Sequence, residues 1–113
     1  MKIVDYRDVP LEPVSEEGAK GVKVRWVIKK EDGAERFAMR IFHVEPGGYS
    51  PCHSHPWEHE VYVLSGEGEV LKDGEWVKVS EGTVLFIPPN EEHQFKNSSE
   101  QELVFICLVP YLD

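Results

Sequence analysis

The chain has 113 residues, 41% of them hydrophobic, and a formal net charge of −9, which suits a single soluble domain with one core. Its basic residues are scattered, as in KVRWVIKK, and this argues against nucleic acid or an anionic membrane as a partner. No apolar run approaches the roughly 20 residues of a membrane-spanning helix, and the first residues lack the apolar core of a signal peptide. We therefore expect a cytoplasmic protein, with Cys52 and Cys107 reduced.

Short alternating apolar segments predict β-strands through most of the chain. In the first of them, alternation places Val22, Val24, Trp26 and Ile28 on one face. The predicted strands lie at 22–28, 36–45, 59–64, 70–79 (two strands of a hairpin), 81–95 (two strands around a turn) and 102–109.

Turn residues separate these strands. EDG at 31–33 predicts a hairpin between the first two strands, PGG at 46–48 ends the second, and Asp73-Gly74 is a strong hairpin signal. Residues 15–20 are compatible with a short helical turn, and no segment keeps a helical period over several turns. These features predict an all-β sandwich or barrel, with an N-terminal arm over about 1–20 and a barrel over about 21–110 in one domain, 1–113.

The segment PCHSHPWEHE holds three of the five histidines. In an extended segment His53 and His55 project to the same side, where two imidazoles can chelate one cation. A solvated polar loop explains an isolated HxH equally well, so the pair alone leaves both interpretations open.

Two spaced motifs resemble those of the cupin superfamily. The first motif has a glycine, five residues, HxH, three or four residues, a glutamate, six residues and a glycine; the second has a glycine, five residues, PxG, two residues, a histidine, three residues and an asparagine. The matching residues here are Gly47, His53, His55, His59 or Glu60, Gly66, Gly82, Pro88, Asn90, His93 and Asn97. The resemblance implies the cupin fold, a double-stranded β-helix or jelly-roll barrel. Asn90 replaces the glycine of the second motif, and asparagine tolerates a left-handed turn position best after glycine.

The resemblance also implies a set of metal ligands. His59 satisfies both offsets of the carboxylate position, to His55 and to Gly66, whereas Glu60 satisfies only the first. The implied ligands are thus His53, His55, His59 and His93, as in small cupins whose four-histidine centre carries manganese. The expected metal is Mn(II), with Fe(II), Zn(II), Ni(II) or Cu(II) as alternatives. His43 matches no ligand position.

Four aromatic or thiol side chains are candidates for the pocket around such a centre: Trp57, Phe95, Phe105 and Cys107. A mostly apolar wall beside a metal suits a small organic molecule, and a Cys107 close to the metal would be open to oxidation by peroxide.

Three classes of function remain open. A metal-dependent oxidoreductase of dioxygenase or oxidative-cleavage type is favoured, because no acid–base pair is evident. The alternatives are a metal-assisted isomerase or decarboxylase, with Glu58 or Glu60 as its acid or base, and a non-enzymatic small-molecule or metal-binding module. We also expect a homodimer that pairs through the N-terminal segment and the strand face bearing Tyr62 and Leu64.

Overall fold

A computed structural model describes residues 1–111 and is built almost entirely from β-strands, as predicted. Two short 3-10 helices, at Tyr6–Asp8 and Lys30–Asp32, are the only helical elements in this part of the chain. The strands are β1 (Glu12–Pro13), β2 (Lys20–Ile28), β3 (Phe37–Tyr49), β4 (His59–Ser65), β5 (Glu67–Lys72), β6 (Glu75–Ser80), β7 (Val84–Ile87), β8 (Phe95–Lys96) and β9 (Leu103–Pro110).

The strands form one antiparallel sheet that curls around an interior cavity. Its order is β6-β5-β8-β3-β9-β4-β7, with β2 also paired to β3, and β1 to β2. The predicted hairpins are present: β2 pairs with β3, and β5 pairs with β6 through a turn at Asp73 and Gly74, both with positive φ. No helix in residues 1–111 is long and apolar enough to cross a membrane.

Strand alternation divides the apolar side chains between two clusters. The larger cluster lies inside the curled sheet and includes Val44, Val63 and Leu103, each fully buried. The smaller one lies on the opposite face, where Tyr6 and Val9 of the N-terminal arm pack near Ile41. The arm therefore covers the outside of the sheet at this point.

Two predicted details of the strands were wrong, because β-bulges interrupt the alternation. Ile28 is exposed, since a register shift between Trp26 and Ile28 turns it outward, to the face on which Val27 is buried in the smaller cluster. The PGG segment does not end β3: the strand continues to Tyr49 through a second irregularity, with Gly47 at φ +82°. Residues 15–20 contain one hydrogen-bonded turn, from the Ala19 N–H to the Glu16 carbonyl, and no helix.

Several motif residues have structural roles. Asn90 has φ +68°, which confirms the left-handed position predicted for it. Gly66 has φ +80°, and a Cβ there would lie 2.1 Å from the Glu102 carbonyl oxygen, so a larger residue does not fit. Asn97 is 1% exposed, and its amide donates to the carbonyls of Val44 and Gln101 at 2.9 and 2.7 Å. These bonds pin the loop before β9 to β3.

Candidate metal centre

Four histidines converge at one end of the cavity. His53 and His55 lie in the loop between β3 and β4, His59 is the first residue of β4, and His93 precedes β8. Mutual backbone hydrogen bonds join His53 and His93, at 3.2 and 2.9 Å, and hold the two distant motifs together. The candidate ligand atoms of His53, His55 and His93 all lie within 4.8 Å of one another.

His59 adjoins this group of three through His55. The Nε2 atoms of His55 and His59 are 3.0 Å apart, and the His59 ring centroid lies 5.6 Å from that of His93. His59 is buried because it shares the inward face of β4 with Val61 and Val63.

Glu60 lies on the opposite face of β4. It is exposed, as is Glu58 in the preceding loop, and both line a surface groove with Phe37 and Pro110. The geometry therefore agrees with His59, and not Glu60, as the candidate ligand of this segment.

Backbone carbonyls fix the orientation of three of the imidazoles. The Nδ1 atoms of His55, His59 and His93 lie 2.9, 3.1 and 2.9 Å from the carbonyl oxygens of Trp57, Leu108 and Glu91, respectively. A carbonyl only accepts, so each Nδ1 carries the proton and donates it. Each Nε2 of a neutral ring then presents a lone pair to the site, as metal-binding histidines do.

The contact between His55 and His59 tests whether a metal suits the site. With both protons on Nδ1, two lone pairs face each other at 3.0 Å, and they repel unless a cation lies between them. A proton is a poor candidate because burial disfavours the charged imidazolium. The donor set of neutral imidazoles therefore fits a divalent transition metal.

A cavity of about 540 Å³ opens beside the histidines. All four predicted pocket residues, Trp57, Phe95, Phe105 and Cys107, lie in its wall. Trp57 stacks on His55 at 4.1 Å between ring centroids and an interplanar angle of 7°, so it positions this imidazole as well as forming the wall. Phe105 stacks between Phe42 and Phe95, at 5.4 and 4.5 Å, and gives the cavity an aromatic side.

Arg40 also lies in the cavity wall, a position that was not predicted for it. It lies on β3 opposite Trp26 and Cys107 of the neighbouring strands. Its guanidinium is 3.2 Å from the Cys107 sulfur and 3.5 Å from His59 Nδ1. Alternation along β3 could have predicted this position, because Arg40 shares a strand face with Phe42 and Val44 and therefore points inward.

Comparison with known proteins identifies the family. The family model described as "Cupin domain" matches residues 40–109. The chain belongs to the cupin family.

Individual proteins resemble the chain over most of its length. The polyketide cyclase RemF from Streptomyces resistomycificus has a TM-score of 0.94 at 40% identity, over 97% of this chain and 79% of that one. The oxalate-binding protein of Thermotoga maritima is 31% identical over 81% of this chain and 78% of its own length. A 1-methylthio-D-xylulose 5-phosphate methylsulfurylase from Rhodospirillum rubrum is 32% identical over 63% of this chain, which spans 46% of that protein. The predicted jelly-roll fold is thereby confirmed.

The environment of this cupin site favours the neutral form of three imidazoles, those of His53, His55 and His59. Burial lowers the pKa of His59 to about 4, although the Leu108 carbonyl acts in the opposite direction. Burial also lowers the pKa of His53 and of His55, and the positive charge that neighbouring histidines would carry adds to this effect. Protons therefore compete weakly for the nitrogens that would bind a metal.

These pKa shifts predict that the metal-free cupin loses stability as the pH falls. Between pH 6.5, the ordinary histidine value, and about 4, the unfolded chain binds protons that folded His59 does not. We expect the free energy of unfolding to fall by on the order of 2 kcal/mol from pH 7 to pH 4.5. Urea denaturation of chelator-treated protein measures this, with His59→Gln expected to flatten the dependence. A pH-independent parent would contradict the assignment.

Cys107 and His43 are buried residues outside the set of candidate metal ligands. Burial raises the pKa of the Cys107 thiol, which disfavours the thiolate, the form that attacks peroxide. His43 faces away from the cavity, is buried, and lies 3.3 Å from a Glu102 carboxylate oxygen. Its Nε2 accepts from the Arg25 guanidinium at 3.2 Å, and Arg25 also donates to the Val9 carbonyl. His43 thus anchors the N-terminal arm, in agreement with its lack of a ligand role.

Proposed function

We propose that this cupin binds one divalent metal through His53, His55, His59 and His93 and uses it on a small organic molecule held in the adjoining cavity. The observation that carries the proposal is the 3.0 Å approach of two Nε2 atoms whose Nδ1 atoms both face carbonyls. Mn(II) is the metal we propose, by resemblance to four-histidine cupins. Fe(II), Zn(II), Ni(II) and Cu(II) remain alternatives.

The chain's own residues favour negative charge on the bound molecule. A bound divalent metal would supply a Lewis acid able to polarise a carbonyl oxygen. Its four imidazole ligands would be neutral and would cancel none of its charge, and the Arg40 guanidinium lies beside His59. The apolar walls lower the local dielectric, so each of these charges acts more strongly than in water.

A cyclisation of a polyketide-like substrate fits these features best. The developing charge in such a reaction is an enolate-type oxygen anion, which a cationic, water-poor site stabilises. The 40% identity to a polyketide cyclase over 97% of the chain supports this candidate. The aromatic side formed by Phe42, Phe95 and Phe105 suits a planar, apolar substrate.

A metal-dependent oxidoreductase of dioxygenase or oxidative-cleavage type is the second candidate. It needs a redox-active metal and does not require an acid–base pair. Among residues 1–111, Glu16 is the one carboxylate in the cavity wall. An isomerase or decarboxylase that uses Glu58 or Glu60 is less well supported, because both side chains lie outside the cavity.

Separate reconstitution with Mn(II), Fe(II) and Zn(II) distinguishes these candidates. We expect turnover of poly-β-ketone substrates with redox-inert Zn(II) as well as with Mn(II), and no consumption of O2. Turnover confined to Fe(II) or Mn(II), with O2 or peroxide consumed, would favour the oxidoreductase. Absence of turnover with every metal, despite ligand binding, would favour the non-enzymatic module.

The homodimer and the cytoplasmic location remain predictions. Tyr62 is 47% exposed and lies beside exposed Val84 on β7, so it is available for pairing. Leu64 is already partly buried against the small outer cluster that the N-terminal arm covers. A pairing surface would therefore involve Tyr62 and Val84 more than Leu64.

A further inference from the structure

We infer that the cavity ligand is an apolar molecule with a carboxylate, and that Arg40 binds this carboxylate beside the metal centre. The inference rests on the proposed function, since it assumes that the cavity takes a small molecule. It specifies a carboxylate as the source of the negative charge and assigns its binding to Arg40.

Arg40 is an unpaired cation inside the barrel. Its buried Nε atom has no hydrogen-bond partner, and its one hydrogen-bond acceptor among residues 1–111 is the weakly accepting Cys107 sulfur. No ion pair joins Arg40 to a carboxylate within the same residues. Arg40 is half-buried, and a guanidinium partly withdrawn from water without an anion lowers the stability of the fold, so it points to a partner that arrives from outside.

Aromatic contacts hold the guanidinium in a conformation that suits the binding of an anion. It lies over the rings of Phe42 and Trp26, with its central carbon 4.9 and 5.5 Å from their centroids. Stacking on two rings restricts the side chain, and the single hydrogen bond to the Cys107 sulfur leaves further N–H groups of the guanidinium available to bind carboxylate oxygens. Lysine at this position would keep the charge but lose this geometry.

The surroundings favour an anion with an apolar body. The cavity wall is largely apolar, with Val22, Val24 and Phe105 among its residues. Its one carboxylate in the described chain, Glu16, is an exposed residue of the N-terminal arm. The net charge of the protein is −9, so its overall electrostatic field repels anions. An anionic ligand is therefore bound only if a specific cationic group contacts it. Arg40 supplies that cation next to His59.

Calorimetric titration with a matched ligand pair tests the inference. The probes are 2-naphthoate and its neutral analogue 2-naphthamide, titrated into metal-free and Zn(II)-loaded protein. The variants are Arg40→Gln, Arg40→Lys and, as a control of equal charge change, Arg36→Gln at an exposed position outside the cavity. Circular dichroism and zinc content of each sample show whether the fold and the metal centre persist.

We expect Arg40→Gln to weaken naphthoate binding roughly tenfold or more in both forms, while naphthamide binding changes less than about twofold. Arg36→Gln should leave both affinities unchanged, and Arg40→Lys should keep part of the preference. Equal naphthoate affinity in Arg40→Gln and the parent, equal loss of both ligands, or no binding of naphthoate by the parent would overturn the inference.

The metal measurements separate this inference from the proposed function. A parent that binds no metal, yet prefers naphthoate through Arg40, would refute the metal centre and support the inference. A parent that binds metal but shows no preference for naphthoate would refute carboxylate binding by Arg40 and support the metal centre.

Discussion

Replacing His59 with alanine is expected to lower metal affinity by about 100-fold or more, whereas Glu60→Ala leaves it unchanged. Loss of a mere hydrogen-bond partner of a metal ligand costs 10- to 100-fold, so loss of a ligand should cost at least as much. His59 directs its Nε2 to within 3.0 Å of His55 Nε2. Glu60, one residue later on the same strand, is exposed on the other face.

Elemental analysis of protein purified without added metal, followed by competition with a chelator of known affinity, measures this difference. Glu60→Ala is a matched control because it alters the same strand and removes a potential carboxylate ligand. Metal retained in His59→Ala and lost in Glu60→Ala would show that the glutamate is the ligand.

Metal addition is expected to raise the thermal unfolding midpoint of the parent protein by roughly 10–20 °C. A metal at 1,000 times its dissociation constant stabilises the folded state by about 4 kcal/mol, and each kcal/mol shifts the midpoint of a domain this size by about 4 °C. Metal binding stabilises the folded state because a cation relieves the repulsion between the facing nitrogens of His55 and His59. His93→Ala should abolish most of the shift, since His93 is one of three histidines with mutually close ligand atoms.

His43→Ala is the control for this prediction. It also removes a buried histidine, but one that contacts Glu102 and Arg25 outside the cavity. We expect a lower midpoint without metal and an undiminished metal-induced shift, as measured by differential scanning calorimetry. A metal-induced shift of normal size in His93→Ala, or none in the parent, would contradict the assignment.

The strands could be predicted from sequence because alternation and turn residues are local signals. The turn at Asp73 and Gly74 and the left-handed Asn90 follow from the backbone preferences of those residues. The bulges that expose Ile28 and carry β3 through Gly47 could not be predicted, because they depend on pairing between β2 and β3. Local rules contain no information about such register shifts.

Some features of the candidate site could likewise be predicted from the sequence, and others could not. Motif offsets led to the proposed ligands His53, His55, His59 and His93, which line one cavity, and strand parity placed Phe105 and Cys107 on the inner face. The carbonyls of Leu108 and Glu91 that orient two of the imidazoles are backbone groups, so no side-chain pattern reveals them. Strand alternation places Arg40 on the inner face of the sheet. Its residue type suggested the opposite, because the other basic residues of the chain are scattered as on a solvated surface.

The most direct test of the four-histidine centre is a crystal structure of the metal-loaded protein, with anomalous data collected on both sides of the metal's absorption edge. We expect one anomalous peak per chain, about 2.0–2.3 Å from the Nε2 atoms of His53, His55, His59 and His93. A peak ligated by Glu60, a peak that His59 does not contact, or no peak among the histidines would contradict it.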